Sequence, residues 1–151
     1  MSNRAKVPHE TTLLVRDCCL CLHVQRAARA LARRFDGALG SLDLTNGQFS
    51  LLISLNRPEP PAMAAVASLL AMDRTTLTAA LKSLERRGLV SVTRDRADRR
   101  SRLIALTTKG MKLLNRAVPV WERTNEEVER LLPDGDPHLL RSSLRVLSRD
   151  G

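Results

Sequence analysis

Nine consecutive residues, Arg94-Asp95-Arg96-Ala97-Asp98-Arg99-Arg100-Ser101-Arg102, hold five arginines and two aspartates. A loop that only has to stay solvated has no use for a net charge of +3. Arginine at a projecting tip suits the narrow minor groove of A·T-rich DNA, where the negative potential is greatest. A neighbouring carboxylate can hold a guanidinium in place through a bidentate pair. Just upstream, residues 74–87 read as an amphipathic helix. Leu77, Leu81 and Leu84 lie on one side, and Thr75, Thr78, Ala79, Lys82 and Arg86 face away from them, with Arg74 and Thr76 of the first turn added as candidate DNA contacts. Short hydroxyl and methyl groups followed by bases suit a helix pressed into a major groove. Threonine can bond base edges and touch the thymine methyl, and Lys or Arg reaches guanine or phosphate. A plain amphipathic surface helix would show the same stripe. The basic segment that follows directly favours the reader of DNA.

The other groups able to do chemistry are thiols and imidazoles. Cys18, Cys19 and Cys21 fall within five residues of His23. Cys18 and Cys21 form a C-x-x-C without the βαβ context of a thioredoxin-like site. Cys19 and His23 stand at i and i+4, but zinc needs three or four protein ligands and only two are in view. Packing as small hydrophobes comes first among the uses of the thiols, redox sensing second and a metal role last. His9, His23 and His138 make no Ser/His/Asp or Cys/His arrangement, and no glycine-rich phosphate loop of either common type occurs. An enzyme is therefore not expected, nor is a metal or any other cofactor.

The chain that must position these groups has 151 residues and a net charge of +9. That is one domain's worth of sequence. Of its 25 basic residues, all but 4 are arginine. Residues 74–116 contain 12 Lys+Arg and only Glu85, Asp95 and Asp98 as acids, so the whole excess sits in this stretch. A localised excess points to a polyanionic partner, with nucleic acid favoured over an anionic membrane surface. Phe35, Phe49 and Trp121 are the only aromatics, too few for a single-strand stacking platform. No apolar run is long enough to span a bilayer and no secretory leader is evident. A cytoplasmic location is expected.

Periodicity predicts a loose arm over 1–11, then a long helix over 12–39 closed by Gly37 and Gly40. Its stripe is Leu13, Leu20, Val24, Ala27, Leu31 and Phe35, with Arg16, Arg26, Arg33 and Arg34 opposite. Thr45 and Gln48 form a capping box for the next helix, which ends at the proline-rich 57–61. A short Ala-rich helix covers 62–70, and Asp73 caps the helix 74–87, with Gly88 just past its end. Two short runs, 89–93 and 102–106, make a hairpin with the basic segment at its tip. Thr107 starts a long helix towards Leu132 in which Pro119 should introduce a kink. Asp136 caps a last helix, 138–148. The expected class is mostly α with a small β-hairpin, a winged helix-turn-helix over 45–110. The additional helices over 12–39 and 118–148 carry apolar stripes that need a second subunit to cover them.

On these motifs the chain resembles the MarR family of bacterial transcription regulators. The resemblance is carried by Leu44-Thr45-Asn46-Gly47-Gln48-Phe49, Asp73-Arg74-Thr75-Thr76-Leu77-Thr78 and Leu84-Glu85-Arg86-Arg87-Gly88-Leu89-Val90. Asp98-Arg99-Arg100-Ser101 and Leu106-Thr107-Thr108-Lys109-Gly110 complete it. It implies a homodimer joined through the terminal helices and bound to a palindromic double-stranded operator. It also implies a repressor released by a small aromatic or phenolic ligand, or by oxidation. Asp98 would be the wing aspartate and Arg100 the minor-groove arginine, with Arg96 or Arg99 able to share that role. Thr75, Thr78 and Lys82 fall in the base-reading part of the recognition helix. The ligand would lie near Cys19, His23 and Arg26 of the first helix and Phe49 and Ile53 of the second. An architectural DNA-binding protein without effector is a rival of the same chemistry. A redox sensor acting through Cys18, Cys19 or Cys21 is another. A module docking on an acidic protein would bind no DNA at physiological salt.

Overall fold

The computed structural model describes residues 6–149. Helix α1 spans His9–Cys18, α2 spans Leu20–Leu39, and a 3-10 turn follows at Gly40–Leu42. Then come α3 (Asn46–Ser54), α4 (Met63–Leu69) and α5 (Arg74–Arg86). Strands β1 (Val90–Arg94) and β2 (Arg102–Leu106) precede α6 (Thr108–Glu129) and α7 (Pro137–Leu147). This is the winged helix-turn-helix order, with extra helices before and after it.

Local chemistry accounts for most boundaries. The Thr45 side chain accepts the Gln48 N–H at 3.1 Å, and the Gln48 side chain accepts the Thr45 N–H at 3.0 Å. Both orphan donors of the α3 start are thus satisfied. Asp73, Thr107 and Asp136 cap α5, α6 and α7 one way only, each side chain accepting an N–H of the first turn (Thr76, Gly110 and His138). Gly88 ends α5 at φ +70°, the left-handed conformation that glycine adopts without a Cβ penalty. The turn between α4 and α5 uses Ala71 at φ +50° for the same purpose.

Two expectations about the first helix need correction. The stretch 12–39 is not one helix: it breaks at Cys19, whose backbone is extended (φ −75°, ψ 105°). No glycine or proline marks the break. The Cys19 sulfur accepts the Leu22 N–H at 3.5 Å and takes the N-cap place of α2. Helix also begins earlier than expected, at His9, and runs through Gly37 to Leu39. Of the expected arm, residues 1–5 lie outside the described residues. α6 continues through Pro119.

The core gathers Leu39, Leu44, Phe49, Leu51, Leu52, Leu55, Val66, Leu77, Leu84, Leu89, Ile104 and Leu114 from α2 to α6. Burying a Leu or Ile side chain contributes about 1.5–3 kcal/mol, so this cluster fixes α5 and the hairpin as one body. The terminal helices differ. Neither α1 nor α7 buries a single residue. Leu20, Leu139, Val146 and Leu147 are all more than 60% exposed. Among the described residues no helix is long and apolar enough to cross a membrane.

Candidate nucleic-acid interface

Helix α5 turns its leucines inward as its periodicity requires. Leu77 and Leu84 are fully buried and Leu81 nearly so, while Arg74, Thr75, Thr76, Thr78, Lys82 and Arg86 are exposed. Two of the threonines have their hydroxyl protons engaged. Thr76 Oγ1–H donates to Asp73 Oδ2 (2.8 Å), alongside its own N–H to Asp73 Oδ1 (2.7 Å). These two bonds hold the Asp73 carboxyl below the usual carboxylate range. Thr78 Oγ1–H donates back to the Arg74 carbonyl (2.7 Å). Thr76 is thus part of the cap, and Thr78, though exposed, also has its hydroxyl 3.9 Å from Met63 Sδ on the groove floor. Thr75 has neither engagement and stands at the first turn of the helix.

The hairpin is antiparallel, with Val90 opposite Leu106, Val92 opposite Ile104 and Arg94 opposite Arg102. It gains a third element that the sequence reading missed. Ala62 forms a β-bridge with Leu103, and the Ile104 N–H donates to the Pro61 carbonyl (3.0 Å). The wing base is thereby tied to the start of α4. At its other end it is tied to α6. Thr107 Oγ1–H donates to the Gly88 carbonyl (2.6 Å) and Lys109 Nζ donates to the Arg87 carbonyl (2.7 Å). Gly110 packs so closely that a Cβ there would lie 2.0 Å from the Leu89 carbonyl oxygen.

The wing tip is ordered by its aspartates. The Asp98 carboxylate accepts the Arg100 N–H (3.0 Å), Asp95 accepts the Ala97 N–H (2.9 Å), and the Ser101 N–H donates to the Asp98 carbonyl (2.9 Å). The expected guanidinium pairing of Asp98 is therefore replaced by an Asx turn: the carboxylate grips the backbone of Arg100. Among the described residues, no wing arginine forms an ion pair with a carboxylate within 4 Å. Arg96 and Arg99 line a shallow hollow with Arg94 and Asp95.

Helix and wing meet in one groove of about 610 Å³. Arg74, Thr78 and Lys82 of α5 face Arg100 and Arg102 of the wing across Met63, Leu81 and Val92, with Glu85 as the single acid in the lining. Arg74, Thr78, Lys82 and Arg100 are expected in the site from sequence; Arg102 joins them only in the structure. Sequence reading also misses Arg87, which reaches Asp43 (3.6 Å) and Gln48 (3.5 Å) and so ties the end of α5 to the start of α3. A wall of cations beside a convex helix, backed by an apolar floor, is the shape and charge of a duplex-DNA reader.

The residues expected around a ligand are not gathered in the same way. His23 and Arg26 line a shallow cavity of about 520 Å³ along α2, with Ala27, Arg29, Ala30 and Arg33. The His23 Nδ1–H donates to the Cys19 carbonyl (2.9 Å). Phe49 is buried and stacks on Trp121 with centroids 6.1 Å apart, and Ile53 is exposed. Neither Phe49 nor Ile53 lines that cavity. Cys18 and Cys21 are exposed thiols and Cys19 is half-buried.

Comparison with known proteins fits this geometry. Residues 44–101 match the family model described as MarR family. The chain is 39% identical over 97 residues to the HTH-type transcriptional regulator TtmR of Methylorubrum extorquens, covering 64% of this chain but only half of TtmR. It is 32% identical over 101 residues to the organic hydroperoxide resistance transcriptional regulator of Bacillus subtilis, covering 67% of this chain and 69% of that protein. The M. tuberculosis transcriptional regulator MosR, solved in complex with DNA, superposes with a TM-score of 0.78 at 37% identity, over 86% of this chain and 93% of MosR.

Proposed function

The chain belongs to the MarR family of DNA-binding transcription regulators, and we propose that it acts as a homodimeric repressor on a palindromic operator. Helix α5 enters the major groove of each half-site, and the wing arginines, Arg100 foremost with Arg96 and Arg99 beside it, reach the flanking minor groove. The groove that unites Arg74, Thr78 and Lys82 with Arg100 carries this assignment. Two such units bound one helical turn apart would read a two-fold symmetric site.

The unburied apolar faces of α1, α2 and α7 support the second copy. Leu14, Leu20, Val24, Leu31, Leu139, Leu140, Leu144 and Leu147 all remain exposed in a single chain. So large an apolar area is the mark of an interface. Sedimentation tests it: a dimer is expected throughout the micromolar range, and a folded monomer there would contradict it.

Release from DNA is assigned to a small aromatic or phenolic ligand carrying an anionic group. His23 and Arg26 would meet its charge on the lining of the α2 cavity, and the ligand would favour a dimer whose α5 helices no longer match the half-sites. A thiol switch is the second reading. Three cysteines at the α1–α2 break, two of them exposed, favour it, as does similarity to a hydroperoxide resistance regulator. A triple variant, Cys18→Ser, Cys19→Ser and Cys21→Ser, separates the two. Under ligand control, peroxide leaves wild-type DNA binding intact and aromatic acids raise the melting temperature of both proteins. If peroxide frees the DNA from wild type alone, the thiol switch is correct.

A further inference from the structure

The hairpin register sets two arginines against each other. Arg94 and Arg102 are cross-strand partners at the outer end of the strands, on the side whose inner pairs are Val90–Leu106 and Val92–Ile104. Like charges directly opposite on a sheet destabilise it. Both side chains are exposed, and neither forms an ion pair among the described residues. Asp95 and Asp98 are the nearest carboxylates in sequence, and both are committed to backbone N–H groups of the tip. The fold therefore holds a like-charge pair with no carboxylate within ion-pair distance among the described residues, on the wing side of the groove that also carries Arg74, Lys82 and Arg100, where Glu85 is the one acid.

On the premise that α5 and the wing bind duplex DNA, we propose that Arg94 and Arg102 form a backbone-phosphate seat at the base of the wing. A phosphodiester between the two guanidiniums removes their repulsion and accepts hydrogen bonds from both planar forks. A contact of this kind carries no sequence information. It would fix how deeply the wing and α5 enter their grooves. Arg102 reaches the seat from the groove side, where it lines one wall with Arg100. Arg94 reaches it from the side of the tip, where it lines the hollow with Arg96 and Arg99.

The test uses the full-length protein and two probes: a duplex selected by the wild type from a random pool, and an unrelated duplex of equal length. Arg102→Gln is expected to weaken both by a similar factor, about 5- to 10-fold at moderate salt. It should lower the slope of log affinity against log salt by part of the about 0.9 that one phosphate contributes, Arg94→Gln should do the same, and the double variant should lose all of it. Each variant should also melt about 1–3 °C higher than wild type, because a like-charge pair is gone. Arg102→Lys should keep most of the salt slope. Unchanged affinity and slope in Arg102→Gln would overturn the seat. So would a loss confined to the selected duplex, which means base reading, or a fall in melting temperature, which means a structural role. If the wild type shows no salt-dependent binding to either duplex, DNA binding itself is wrong and the seat falls with it.

Discussion

The Asp98 carboxylate accepts the main-chain N–H of Arg100 at 3.0 Å, so the acid of the wing sets the path of the arginine's backbone and leaves its guanidinium free. Coulomb's law alone says that removing an acid from a DNA-binding surface should tighten binding. The Asx turn says the opposite, because without it Arg100 loses its fixed position. Asp98→Ala is expected to weaken operator binding several-fold. Asp98→Asn, which keeps an acceptor oxygen and drops the charge, should bind as well as wild type or better. Arg100→Ala should weaken it by about 10-fold or more, in line with about 1–3 kcal/mol for a groove contact. Fluorescence anisotropy titrations of the four proteins against one labelled duplex check the ordering.

Lys82 stands on the exposed face of α5, within the groove shared with the wing. A base contact and a phosphate contact make different predictions there. Lys82→Ala is expected to change which base is preferred at one position of each half-site, as read by selection from a degenerate duplex pool. A phosphate contact would instead weaken all sequences alike and lower the salt slope by about one phosphate's worth.

Gly110 allows α6 to start against the entry to β1. A Cβ at 2.0 Å from the Leu89 carbonyl oxygen has backbone in its way, so no flexible side chain can relieve the clash. Gly110→Ala is expected to destabilise the fold by about 2–3 kcal/mol, the upper part of the overpacking range. It should lower the urea midpoint with little change in slope. DNA affinity, measured where the variant is still folded, should also fall, because the wing hangs from this junction through Thr107 and Gly88.

The Asp73 cap at the start of α5 makes stability depend on acid. Its carboxyl titrates below the usual carboxylate range because Thr76 donates two hydrogen bonds to it. A group whose folded pKa is lowered stabilises the fold fully above its unfolded value, near pH 4. That stabilisation disappears as the pH falls through the lowered folded value. The melting temperature of Asp73→Asn should therefore vary less between pH 5 and pH 2 than that of wild type. A control at Glu129, whose carboxyl is lowered chiefly by Arg141, separates this cap from the general acid response.

Much of the fold was legible because its boundaries are made by local chemistry. The caps Thr45, Asp73, Thr107 and Asp136 and the stop at Gly88 are each written within three or four residues, and all five are in place. The recognition face of α5 follows from the spacing of Leu77, Leu81 and Leu84. The α1–α2 break was not legible, since a cysteine serves as the cap and the apolar period of 3.6 continues across it. The same holds for Ala71, which takes a positive φ that glycine would normally supply. Arg87–Asp43, the Ala62–Leu103 bridge and the place of Arg102 in the groove depend on residues far apart in sequence. The partner of Asp98 is not legible either: a backbone N–H two residues away takes the place expected for a guanidinium.

Sequence-specific binding by paired α5 helices and wings is tested most directly by one comparison at physiological salt. The affinity of the full-length protein for a selected palindromic duplex is measured against that for a shuffled duplex of the same length and composition. A preference of about 10³-fold or more, with two protomers on each palindrome, is the expected result. Equal affinity for the two duplexes would mean an architectural DNA-binding protein and would contradict operator reading by α5 and the wing.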